Sequence, residues 1–206
     1  MATFIFDFDG TIADSRDYII NFIAKEAGKF PLDSPAQHEL YGKSVVGIAR
    51  HLGLKWYQLP GLLVKGRKSM GQMVKHIKPF PGMLEVMKKI KHEGHEIIVV
   101  SSNSVENVRK FLHHNKMDNL VLAVYGGVEI FGKAPVFREI LNEFNLDAAQ
   151  VVCIGDELRD IEAAQSVDLK QVAVTWGFAS VEQIKELKPS WVVNEPKELL
   201  QVLEEF

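Results

Sequence analysis

The run Thr3-Phe-Ile-Phe-Asp7-Phe-Asp9-Gly10-Thr11 constrains this chain most tightly, because it sets two carboxylates at the end of an apolar strand with a tight turn directly after. Phe4, Ile5, Phe6 and Phe8 favour a buried β-strand. Asp7 and Asp9 are two apart and therefore point to one face of such a strand. Paired carboxylates in an apolar setting repel each other and are costly to desolvate. A divalent cation between them, or a proton on one, relieves that cost. Gly10 allows close backbone approach to a ligand, and Thr11 offers a hydroxyl and an amide to an anion.

At 206 residues the chain can hold one medium core, or a core with a small second module. The N-terminal residues enter the first strand with no basic region or cleavage site, and no apolar run reaches membrane-spanning length. The single cysteine, Cys153, lies in an apolar strand and has no partner for an internal disulfide. A reducing cytoplasm is the expected location.

From about residue 81 the pattern alternates. Helices are expected at 83–92, 105–114, 135–144, 158–167, 181–187 and 197–205, and strands at 95–101, 121–125, 151–154, 171–175 and 191–193. Apolar strands alternating with amphipathic helices predict an α/β fold, with a doubly wound parallel sheet covered by helices on both faces. Ligands in such folds sit beyond the carboxyl ends of the strands. The polar clusters Asp7-Phe-Asp9, Ser101-Ser-Asn103 and Gly155-Asp156 fall there.

Residues 14–80 break the rhythm and read as an α-helical insert. Between Leu40 and Leu84 there is no acidic residue, yet eight basic ones occur: Lys43, Arg50, Lys55, Lys65, Arg67, Lys68, Lys75 and Lys78. That leaves 16 of the 24 basic residues against all 27 acidic ones. A basic lid over an acidic core suits a metal-dependent enzyme acting on an anion. A solvated basic face is the alternative.

Three further clusters carry chemistry. Ser101 closes an apolar strand, and Ser102, Asn103 and Ser104 follow at a helix start, where free amides and hydroxyls bind phosphate or simply cap. Lys133 can reach a phosphate as a point charge. Asp156 can supply an oxygen ligand for a hard cation such as Mg²⁺, with Asp160 one helical turn beyond it. Gly127-Val-Glu-Ile-Phe-Gly132-Lys133-Ala134 nearly matches a nucleotide phosphate-binding loop. Ala134 removes the metal-binding hydroxyl, however, and Ile130 and Phe131 are bulky where a phosphate wrap favours small residues.

In order and spacing, these clusters resemble the four motifs of the haloacid dehalogenase superfamily, in its phosphoglycolate phosphatase-like branch. Asp7-Phe-Asp-Gly-Thr11 is similar to the first motif, Ser101 to the second, Lys133 with Pro135 to the third, and Gly155-Asp156-Glu-Leu-Arg-Asp160 to the fourth. The resemblance implies a Rossmann-like core, residues 1–13 and 81–206, with a small helical cap, residues 14–80, inserted after the first strand. It implies an Mg²⁺-dependent phosphatase acting on a small anionic phosphate ester through an aspartyl-phosphate.

Carried over residue by residue, Asp7 is the nucleophile and Asp9 the general acid and base. Ser101 and Lys133 hold phosphoryl oxygens, and Gly10, Thr11, Ser102, Asn103 and the cap residue Arg67 contact substrate. Asp7, Asp156 and the Asp9 carbonyl ligate the metal, while Asp160 orients Lys133 or a metal-bound water. Asp14 or Ser15 caps the first lid helix. Glu157 stands where many relatives carry a small residue. A phosphomutase of the same fold would use the same residues. A halide-releasing dehalogenase is disfavoured by Asp9, and a non-catalytic anion- or nucleic-acid-binding module by the intact aspartate and lysine set. No membrane or nucleic-acid partner is expected, and the chain is expected to be a monomer or homodimer.

Overall fold

The computed structural model describes residues 1–128 and 132–206. Six strands form one parallel sheet: β1 Thr3–Phe6, β2 Glu96–Val100, β3 Ala123–Tyr125, β4 Val151–Gly155, β5 Lys170–Val174 and β6 Trp191–Val193. Their spatial order is β3-β2-β1-β4-β5-β6, so the chain reverses direction across the sheet at β1. Register pairs Phe6 with Val99 on one side and with Ile154 on the other. The ends of β1, β2 and β4 therefore open into one crevice.

Alternation along the strands builds the core. Phe4, Phe6, Ile97, Val99, Val152, Ile154, Val172 and Val174 enter one apolar layer. Ile5, Ile98, Val100, Val151 and Cys153 enter the layer on the other face. Both faces are apolar because both are covered by helices.

Four helices precede the second strand's own helix: α1 Arg16–Glu26, α2 Ser34–His38, α3 Val45–His51 and α4 Leu59–Met73. Among the described residues of 14–80 there is no strand, only an isolated bridge from Ala13 to Pro79. Ile20, Ile23, Ala24, Leu40, Ile48, Ala49, Leu52 and Leu62 bury one another in a cluster of their own, joined from outside by Phe178. The remaining helices are α5 Met83–His92, α6 Val105–His114, α7 Lys133–Glu143, α8 Leu158–Gln165, α9 Val181–Glu186 and α10 Leu199–Leu203.

Element types match the sequence expectation, but several boundaries move. β1 stops at Phe6 rather than running through Phe8. Past that point Asp7 still donates its N–H to the Ile154 carbonyl (2.8 Å), while three amides, of Thr11, Ile12 and Ala13, turn back onto the Phe8 carbonyl. β3 begins at Ala123 rather than at residue 121, following a 3₁₀ turn at Asp118–Leu120. α7 begins two residues early, at Lys133 itself.

Phe8 lies between the two aspartates and is buried edge-on against Phe111 of α6, ring centroids 5.0 Å apart at 85°. This contact anchors the turn that carries the carboxylates. Phe111 is fully buried, so Phe111→Ala is expected to cost about 3–5 kcal/mol in urea denaturation. A loss below about 1 kcal/mol would show that the site turn does not depend on this packing.

Candidate active site

Asp7 follows β1, Asp156 follows β4 directly, and Asp160 lies in the first turn of α8. The three carboxylates are buried and offer oxygens within 4.8 Å of one another. Lys133 enters this group from the start of α7. Its Nζ lies 2.9 Å from Asp7 Oδ1 and 2.5 Å from Asp160 Oδ1. Asp160 also accepts the Glu157 amide on Oδ2 (3.2 Å), so one carboxylate both starts the helix and steers the lysine.

Electrostatics separate these groups. Burial lifts Asp7 to about 7, against the pull of Lys133. Burial and then the charge of Asp7 raise Asp156. Burial also acts on Asp160, but Lys133 and then Arg159 outweigh it and hold that carboxyl low. Lys133 is raised, because Asp160 and Asp7 overcome its burial. The cluster is thus an anionic, oxygen-only donor set with one resident ammonium, which suits a hard divalent cation.

Asp156 is held without a lysine. Thr11 Oγ1 donates to its Oδ1 (2.7 Å) and the Phe178 amide to its Oδ2 (2.8 Å). Gly10 turns with φ of +85°, and a Cβ there would lie 2.4 Å from Asp156 Oδ2; at Gly177 it would lie 2.1 Å away. Both glycines therefore make room for Asp156. The hydroxyl of Thr11, expected to face an anion, is spent on this carboxylate in a fully buried position.

The Asp9 side chain turns elsewhere. Ser15 Oγ donates to its Oδ1 (2.8 Å) and Asn103 Nδ2 to its Oδ2 (3.0 Å). Asp9 and Asp7 both line one cleft, but each bonds its own partners, and the strand itself has already ended at Phe6. Burial raises Asp9, while the bonds from Ser15 and Asn103 oppose the rise. Asn103 is itself oriented: its Oδ1 accepts from the Ser104 amide (2.9 Å) and from Asn107 Nδ2 (2.8 Å), leaving its donor end for Asp9. Ser101 Oγ accepts the Asn103 amide (3.0 Å). Capping of α6 falls to Ser104, whose Oγ accepts the Asn107 amide (3.2 Å).

Ser15, Asn107 and Arg159 are the residues that sequence reading missed here. Ser15 stands at the start of α1 but makes no side-chain cap; its hydroxyl serves Asp9, and Asp14 caps nothing either. Arg159 Nη2 binds Glu157 Oε1 at 2.7 Å, so the unusual Glu157 holds a guanidinium beside the aspartates. The Gly155-Asp156-Glu-Leu-Arg run carried that signal, as a buried acid two residues before a base.

A cleft open to solvent at its mouth, with an enclosed space of about 90 Å³, lies over Asp7 and Asp9. Ser102, Asn103, Glu157 and Arg159 complete its floor, and α1, α3 and α4 supply its wall. Of the eight basic residues between Leu40 and Leu84, only Arg67 is among the described residues lining it. Arg50, Lys55, Lys65, Lys68, Lys75 and Lys78 are exposed, and Lys65 pairs with Glu26 at 2.6 Å. The basic stretch is chiefly a solvated face. Arg67 Nε donates to the Ser102 carbonyl (2.8 Å), and its own carbonyl accepts from Asn107 Nδ2 (2.7 Å). In the near-match to a nucleotide loop, Ile130 and Phe131 lie outside the described residues, and Lys133 is committed to Asp7 and Asp160.

The family model for haloacid dehalogenase-like hydrolases matches residues 4–174. A phosphoglycolate phosphatase from Synechococcus elongatus is 32% identical over 98% of this chain and 97% of its own length. One from Aliivibrio fischeri is 25% identical, with 96% and 94% covered. A crystal structure of a predicted phosphatase from Clostridium acetobutylicum superposes with a TM-score of 0.82 at 22% identity, covering 100% of this chain and 99% of that one. With the sheet order, the carboxylate cluster and these likenesses in agreement, the chain belongs to the haloacid dehalogenase-like hydrolases, as a phosphoglycolate phosphatase-like phosphatase.

Proposed function

We propose that this phosphatase hydrolyses a small phosphomonoester through an aspartyl-phosphate on Asp7, with Mg²⁺ as its cation. The contact that carries the reading is Lys133 Nζ against Asp7 Oδ1 at 2.9 Å, beside the Asp156 and Asp160 carboxylates. We read residues 1–13 and 81–206 as the catalytic core and residues 14–80 as a cap over it.

Asp7 attacks phosphorus with a carboxylate oxygen as the bond from phosphorus to the alcohol oxygen breaks. Lys133 neutralises charge at the point where two anions must meet, and Ser101 and Asn103 shape the loop that receives the phosphoryl oxygens. Asp9 gives its proton to the departing alkoxide. It then takes one from the water that cleaves the aspartyl-phosphate, which returns Asp7 and releases phosphate. Burial pulling Asp9 up and two donors pulling it down suit a carboxyl that must both give and take a proton. The side chains of Asp7 and Asp156 and the carbonyl of Asp9 would hold Mg²⁺, which supplies charge neutralisation for the phosphoryl group. Asp160 keeps Lys133 in position.

Asp7→Asn should abolish turnover and phosphoenzyme formation with little change in thermal stability; substantial remaining Mg²⁺-dependent activity would remove Asp7 from the nucleophile's place. Asp9→Asn should lose about 10²–10⁴-fold on alkyl phosphates and less on an aryl phosphate, whose leaving group needs no proton. Equal losses on both would count against the acid role.

A pH test follows from the carboxyl shifts. A carboxyl raised on folding holds a proton that the unfolded chain releases, so its contribution to stability falls as pH rises. With Asp7 moved from 3.8 to about 7, the protein in chelator should lose stability as pH rises across that interval. Cation binding needs the ionised forms, so the gain in Tm from millimolar Mg²⁺ should grow over the same range. A gain independent of pH, or absent, would contradict the assigned ligands.

A further inference from the structure

Three hydrogen bonds join α4 to Asp9, and backbone groups at both ends of the chain set their polarity. At one end the carbonyl of Arg67 can only accept, so the Asn107 atom 2.7 Å from it is the amide nitrogen Nδ2. That nitrogen also lies 2.8 Å from Asn103 Oδ1. At the other end the Ser104 amide can only donate, and it lies 2.9 Å from the same Asn103 atom, which is therefore the oxygen. Asn103 Nδ2 is left facing Asp9 Oδ2 at 3.0 Å. Neither amide can turn over without setting donor against donor or acceptor against acceptor.

Position 107 is fitted to this task. Both Nδ2 protons of Asn107 are spent, one on each acceptor, and both asparagines are buried, so water would not replace a lost partner. From α4, Gly71 leaves room for the other end of the amide, because a Cβ there would lie 2.8 Å from Asn107 Oδ1. Arg67 holds the same loop a second time, through Nε to the Ser102 carbonyl (2.8 Å). The insert thus grips this loop on either side of Asn103. Of the two asparagines, Asn103 lines the cleft and Asn107 stands behind it.

Resting on the reading of Asp9 as general acid and base, we propose that Asn107 is a positioning residue for proton transfer. It fixes the Asn103 amide with its N–H end toward the Asp9 carboxyl, and it ties that carboxyl to α4. With the Asn107 amide removed, Asn103 is free to turn, and Asp9 keeps only the bond from Ser15. A proton donor out of line costs rate in proportion to the leaving group's need for the proton.

The test compares kcat/KM with Mg²⁺ on ethyl phosphate and on para-nitrophenyl phosphate. This quantity covers the steps up to departure of the alcohol, where only the alkyl ester needs a proton from Asp9. Asn107→Leu should lower it roughly tenfold or more on ethyl phosphate and less than about threefold on the aryl ester. In an Asn103→Ala background, which lacks the amide that Asn107 steers, the same substitution should leave the ratio of the two substrates unchanged. Gly71→Ala keeps the asparagine but crowds its Oδ1, and should shift the ratio in the same direction as Asn107→Leu. Equal losses on both substrates, or a further shift of the ratio in the Asn103→Ala background, would show a structural role and overturn the proposal. If Asn107→Leu does not fold, the ratio in Gly71→Ala decides, and an unshifted one overturns the proposal. A selective loss in Asp9→Asn with none in Asn107→Leu would overturn the proposal alone. Equal losses in Asp9→Asn would remove the acid reading, and the proposal with it.

Discussion

Carboxylates from two strand ends and the first turn of a helix meet in the protein interior because Lys133 sets an ammonium between two of them. Without it, Asp7 and Asp160 would be like charges in a dry cluster, where one or both would have to take a proton. Lys133 needs the pair equally, since a buried ammonium left alone would lose its charge. The pair also ranks the acids. Asp160, held low, stays ionised and keeps the lysine charged, while Asp7 is left near 7, within reach of ionisation.

Asp156 and Asp9 complete the site by other means. Asp156 is fastened by one hydroxyl and one amide, and glycines at positions 10 and 177 clear the space it fills. Asp9 is clamped by Ser15 at the start of α1 and by Asn103 from the loop before α6. The Asp9 clamp is also where the helical insert meets the sheet, because Asn107 bonds both Asn103 and the carbonyl of Arg67. Arg67 of α4 is thereby linked to Asp9 through three hydrogen bonds, by way of Asn107 and Asn103. The same helix brings Leu63 and Met70 to the cleft wall, so the segment linked to Asp9 also shapes the cleft.

Much of this architecture was legible in the residues. Strands with apolar side chains on both faces forced a parallel sheet covered by helices, and the polar clusters at their ends marked one crevice. The candidate residues Asp7, Lys133, Asp156 and Asp160 come together, as do Ser102 and Asn103 along the cleft floor. What misled was local pattern taken beyond its range. The strand was expected to run through Phe8, but it ends at Phe6, and Asp7 and Asp9, though both on the cleft, bond different partners. Ser15 looked like a helix cap and bonds a catalytic candidate instead.

Sequence by itself determined the fold class and the family and singled out the candidate site residues, because these depend on periodicity and on motif order along the chain. Only the tertiary structure decided which way each polar side chain points and what lines the space above the aspartates. A run of eight basic residues reads as one charged surface, yet their directions depend on how α3 and α4 pack on α1, and that packing turns six of them to solvent. Charge content is a property of composition. The character of a cleft depends on which atoms remain facing it after the apolar ones have found partners, and around this cleft the helices leave mostly apolar side chains together with Tyr18 and Arg67.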